Sequence, residues 1–110
     1  MFKATQQQTR AHNRQLVLQT IYDQPETSRA DIARKTGLTR TTVSDLVSEL
    51  ITEKLVEETG QGHSIGGKPP TLLKFADNSR YLVGVDLASH EFQGAVINLR
   101  GQICYRTVLP

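Results

Sequence analysis

Apolar positions follow a helical period through the first half of the chain and a strand-like period through the last third. Between about Thr9 and Tyr22, Leu16, Val17, Thr20 and Ile21 share one helix face, with Leu18 and Tyr22 beside it. Asp23-Gln24-Pro25 closes that helix, because proline disfavours helix at the residue before it. Residues 1–8 carry no such pattern and read as a flexible tail. A second, short helix starts at Ser28, with Asp31 three positions on, as in a capping box. Ile32 and Ala33 give it an apolar side. Gly37 reads as its C-terminal cap, where φ is positive. Thr39 is a good N-cap for a third helix. There Val43, Leu46, Val47, Leu50 and Ile51 fall at the spacing of one buried stripe. Leu55 and Val56 open a strand. The stretch "ETGQGHSIGGKPP" reads as a loop rich in Gly and Pro, and "TLLKF" as the returning strand.

Beyond a polar joint the character changes. "YLVGVDLAS", "EFQGAVINL" and "QICYRTVLP" are three strand-like runs, the last two joined by a tight turn at Arg100-Gly101. Three strands rarely form a domain with two buried faces, so they read as the opening of a larger one. The expected organisation is a tail at 1–8, a helix-and-wing domain at 9–76, a linker at 77–80 and three strands at 81–110.

The third helix begins oddly. Thr39, Arg40, Thr41 and Thr42 precede its apolar stripe, although threonine is a mediocre helix former. Two helices joined at "KTGLT" match the helix-turn-helix pattern. In that unit the second helix enters the major groove of DNA and its first residues reach base edges. A wheel centred on the stripe turns Thr41, Asp45, Ser48 and Thr52 outward and puts Thr42, Ser44 and Glu49 on the flanks. Arg40 lies nearer the stripe, but its long side chain can swing toward a ligand. Helix amides and threonine hydroxyls bind phosphate oxygens. Arginine pairs with guanine, and a threonine methyl touches a thymine methyl. Asp45 is open to three readings: accepting from cytosine N4, orienting Arg40, or restraining specificity.

Each residue has a bland reading. Thr39 caps the helix whatever the function, and the others taken singly are ordinary solvated side chains. It is the agreement of helix-turn-helix and wing that favours DNA. In the wing loop, 60–70, Gly66 and Gly67 permit close backbone approach. His63, Ser64 and Lys68 are candidate phosphate contacts, with the minor groove also open to Lys68. The plain alternative is a hairpin tip with one incidental lysine. His63 has no second ligand at metal-binding spacing.

Composition narrows this only a little. Of 110 residues, 37% are apolar and 22% charged, ordinary for a soluble domain. A net charge of +2 and a pI near 8.9 permit nucleic-acid binding without demanding it. The single cysteine, Cys104, allows neither an internal disulfide nor a thiolate zinc site, and is expected in the core or a strand. "MFKATQQQ" lacks a signal core, and no apolar run approaches the roughly 18 residues of a membrane helix, so the cytoplasm is expected.

Three stretches taken together resemble one family: "SRADIARKTGLTRTTVSDLVSELITEKLV", "GQGHSIGGKPPTLLKF" and "YLVGVDLASHEFQGAVINLRGQI". Their order is similar to the N-terminal part of the ROK-family transcriptional regulators, sugar-responsive bacterial repressors related to sugar kinases. The resemblance runs from about Arg14 to Leu109 but reaches only the opening third or so of a complete member. It implies an α+β chain: a winged helix-turn-helix followed by the first strands of a truncated actin-like, sugar-kinase-like domain. It further implies a repressor of sugar-utilisation genes, a double-stranded operator as partner, and homodimers or tetramers of the full-length protein. The structural zinc and the inducer sugar of the family are implied downstream, with no cofactor, metal or catalytic residue in this stretch. Family kinases carry a strand motif similar to G-x-D-x-G-G-T. Here Asp86 is kept while Ala88, Ser89 and His90 replace the last three residues, which argues against ATP use. Asp86 reads equally as a structural carboxylate at a strand end. The rival readings are a fragment of a ROK-type sugar kinase and a winged helix that binds protein. For the piece itself, a monomer and a pair joined through strand edges are both open.

Overall fold

A computed structural model describes residues 5–63, 66–88 and 90–110. Eight elements follow one another: α1 (Gln6–Tyr22), α2 (Arg29–Thr36), α3 (Arg40–Thr52), β1 (Val56–Gln61), β2 (Thr71–Phe75), β3 (Tyr81–Leu87), β4 (Phe92–Asn98) and β5 (Ile103–Leu109). The chain divides into two compact units, up to Phe75 and from Ala76 onward.

The first unit is built on the stripes read from the sequence. Val17 and Ile21 of α1, Ile32 of α2, and Val43, Leu46, Val47 and Leu50 of α3 are all completely buried. Val56, Leu73 and Phe75 close this core from the sheet side, and Tyr22 meets Phe75 edge to face with ring centroids 4.9 Å apart. Ile51, the last residue of the expected stripe, is only half-buried.

Helix ends follow local chemistry. Ser28 accepts the Asp31 amide at 3.2 Å and Thr39 accepts the Thr42 amide at 3.2 Å, so both expected N-caps are in place. Gly37 ends α2 at φ 76°, a conformation that suits glycine. α1 starts earlier than its apolar pattern, which shortens the expected tail. Thr5 accepts from the Gln8 amide while the Gln8 side chain accepts from the Thr5 amide. This reciprocal cap starts a helix three residues before Thr9.

β1 and β2 pair antiparallel from Val56↔Phe75 to Gln61↔Thr71, so β1 runs four residues into the expected loop, through Glu58, Thr59, Gly60 and Gln61. A bulge between Glu58 and Gly60 absorbs one residue, with Gly60 at φ 137°. Leu55 lies outside the strand, in the turn that ends α3. Thr27 adds a bridge to Leu73 on the other side of β2, through reciprocal bonds of 2.9 and 2.7 Å.

The second unit is an antiparallel sheet in the order β3-β4-β5. Its β4–β5 turn is organised by Asn98, 2% exposed. The Asn98 carbonyl oxygen of the side chain accepts from the Arg100 and Gln102 amides at 3.0 and 2.9 Å. Gly101 takes φ 83° there. Cys104 is a strand residue, but an exposed one and not part of a core.

Candidate nucleic-acid interface

α3 is amphipathic in an uneven way. Its inward face supplies four of the fully buried side chains, while Thr41, Asp45, Ser48 and Thr52 are exposed. Thr42 and Ser44 are half-buried on its flanks. At its start Thr39, Arg40 and Thr41 are all exposed. The Thr39 hydroxyl donates to the Thr42 hydroxyl at 2.9 Å, so the hydrogen of Thr42 itself stays free for another acceptor.

The charges divide by location. Arg10 of α1 pairs with Glu49 of α3, and Arg14 pairs with Glu49 at 3.4 Å and also with Glu53. Arg29 meets Glu58 of β1 at 3.3 Å, Arg34 meets Asp31, and Lys74 meets Glu57 at 3.3 Å. Arg40 and Lys68, like Lys35 and Lys54 of the same unit, make no ion pair among the described residues. Arg40 and Lys68 thus keep their full field for an outside anion.

A cleft of about 340 Å³ brings Arg40, Ser44 and Lys68 together, with Ser28 and Arg29 of α2 and Pro70 of the wing also on its wall. Two segments far apart in sequence thus place hydroxyls and cations in one concavity. Such a wall suits phosphate oxygens, which take hydrogen bonds from hydroxyl, amide and guanidinium groups. Gly66 and Gly67, just before Lys68, take φ 83° and 76°, conformations that suit glycine.

Not every expected residue joins it. His63 is exposed and stands outside the cleft wall. Ser64 lies outside the described residues. Asp45 is exposed and makes no bond to Arg40, so the orienting role has no contact behind it. Five residues apart on a helix, the two diverge by roughly 140°. Sequence reasoning missed Ser28 and Arg29 as wall residues. No local signal pointed to them, because the wall is assembled from segments far apart in sequence.

Three helices, a tight turn at Gly37 and a two-stranded wing define a winged helix-turn-helix, followed by a separate antiparallel sheet. A model of the MarR family matches residues 15–64. The xylose repressor of Bacillus subtilis (strain 168) is 38% identical over 91 residues, covering 83% of this chain and 24% of that protein. The xylose repressor of Caldicellulosiruptor bescii is 37% identical over 93 residues, covering 84% and 23%. Among solved structures, a ROK-family transcriptional regulator homologous to the Escherichia coli MLC protein superposes with a TM-score of 0.70 at 20% identity. That match covers 92% of this chain and 26% of the other, and shows the fold. The fold class is therefore a winged helix of the MarR type followed by the start of a ROK-like domain. The chain is similar in sequence to xylose repressors and in fold to a ROK-family transcriptional regulator, and spans about a quarter of the length of the relatives it matches.

Proposed function

We propose that this chain is the operator-binding end of a transcriptional repressor of sugar-utilisation genes, xylose genes being the first to test. Residues 9–76 act as the DNA-binding domain, 77–80 as the linker, and 81–110 as the first strands of an actin-like domain. α3 enters the major groove. Thr39, Arg40, Thr41, Thr42, Ser44, Asp45 and Ser48 face bases or the phosphates beside them, and the wing follows the backbone through Lys68, with His63 and Ser64 near its tip. The full-length protein works as a cytoplasmic homodimer and is not an enzyme. The names of the relatives support this over a kinase fragment.

The observation that carries the reading is the start of α3. An exposed Thr39-Arg40-Thr41 tip shares a flank with Lys68, and neither cation is neutralised by a carboxylate among the described residues. No helix among the described residues is long and apolar enough to cross a membrane.

The test is selection of bound duplexes from a random pool, followed by a salt titration on the enriched sequence. A DNA reader enriches a defined motif, and its log Kd rises with log salt at about 0.9 per neutralised phosphate. A winged helix that binds protein gives no enriched motif and a nearly flat salt response, and that outcome refutes the proposal.

A further inference from the structure

α1 is longer than its packing requires. Its buried residues are Val17 and Ile21, and from Gln6 to Gln15 no side chain is buried. These opening turns are nonetheless fixed to the protein. The Thr5–Gln8 cap starts them, and Arg10 and Arg14 tie them to Glu49 and Glu53 of α3. What they create is a second cleft, of about 270 Å³, between α1 and α3. Gln6, Thr9, Arg10 and Asn13 form one wall and Thr42 the other, with the fully buried Leu46 beneath.

The position of this cleft on α3 is informative. At roughly 100° per residue, Thr42 and Leu46 lie roughly 200° around the helix from Arg40 and Ser44, which line the wing-side cleft. The exposed face of Thr41, Asp45 and Ser48 lies between the two. The face that meets base edges is thus bordered on both sides by a concavity lined with hydroxyl, amide or guanidinium donors. A major groove has the matching form, with base edges between two phosphate-bearing strands.

We propose that the α1–α3 cleft holds a DNA backbone phosphate on the strand opposite the one met by Arg40 and Lys68. Thr9, Asn13 and Thr42 donate to its oxygens. Arg10, held by Glu49, forms the wall without supplying an uncompensated charge. The duplex is gripped from both groove walls, which fixes the depth and tilt of α3 and so determines which bases its first turn can reach. This inference rests on the DNA-binding reading above.

Phosphate-ethylation interference on a duplex selected from the random pool separates the two. With the wild-type chain, interfering phosphates should appear on both strands bordering one major groove. The Thr9→Ala, Asn13→Ala double variant should bind at least about tenfold more weakly, the loss expected from even one hydrogen bond to a charged group. It should lose interference on one strand only, whereas Lys68→Ala loses it on the other. Asn13→Asp, equal in volume and opposed to phosphate, should weaken binding further at an unchanged melting temperature. Wild-type affinity and an unchanged pattern in the double variant would overturn the inference while leaving the DNA-binding reading intact. So would an equal loss on both strands. A wild-type chain that binds no duplex overturns both.

Discussion

The two faces of α3 differ in what they answer to. On the inner face Val43, Leu46, Val47 and Leu50 have no exposed surface. On the outer face Thr41, Asp45, Ser48 and Thr52 are open to solvent. Threonine, serine and aspartate are all weak helix formers, so the outer face adds little to helix stability. The helix forms because its inner stripe is buried and its start is capped by Thr39. Fold stability is thereby detached from the identity of the outer residues, which are free to be chosen for a ligand.

The largest expected effect tests the inner face alone. Leu50→Ala leaves a cavity in the core of the first unit, where Leu50 is fully buried, and should lower unfolding stability by about 2–5 kcal/mol in denaturant titration. At a temperature where the variant is still folded, its selected DNA motif should match that of the wild type. A changed motif in a fully folded variant would mean that the two faces are not separable.

Arg40→Ala and Lys68→Ala tests the outer side, where two residues share one cleft but have different proposed roles. Neither should move the melting temperature by more than experimental error, because both side chains are exposed and lack ion pairs among the described residues. Arg40→Ala should reduce discrimination between the selected motif and random duplex by about 1–3 kcal/mol, the range for one bidentate base contact. Lys68→Ala should weaken both duplexes alike and reduce the salt slope by about 0.9. Equal losses on both duplexes for Arg40→Ala would reduce Arg40 to a phosphate contact. Unchanged low-salt affinity for Lys68→Ala would take the wing off the DNA.

The inner face was legible in the sequence and much of the outer geometry was not. Period and capping depend on a few neighbouring residues, so α2, α3 and their caps at Ser28, Gly37 and Thr39 could be read directly. The start of α1 depends on the Thr5–Gln8 cap, which leaves no apolar trace. The length of β1 is set by pairing with β2 rather than by its own glycine-rich composition, and the Thr27–Leu73 bridge has no local signal at all. The wing-side cleft is long-range too: nothing in the spacing of Arg29, Arg40 and Lys68 announces a shared wall. Asp45 shows the limit from the other side. Its spacing left an orienting contact with Arg40 open, and only three-dimensional placement removes it.

The smallest expected effect lies where the two faces of α3 end together. Lys54 is the one non-glycine among the described residues with positive φ, at 63°. It occupies that conformation because the chain stops α3 there: the Leu55 amide donates to the Leu50 carbonyl at 3.0 Å and the Lys54 amide to the Ile51 carbonyl at 2.9 Å. This paired arrangement requires a left-handed residue between them, and glycine is the usual choice. A lysine there carries a backbone penalty of about 1–2 kcal/mol. Lys54→Gly removes it, but loosens the unfolded chain by about 0.4–1 kcal/mol. The net expectation is a gain of a few tenths to about 1 kcal/mol in denaturant titration, with the selected motif unchanged. A loss of stability would mean that the lysine side chain contributes more at this turn than its conformation costs. A change of motif would mean that the end of α3 affects its beginning, and that stability and recognition are joined along the helix even where they are separated around it.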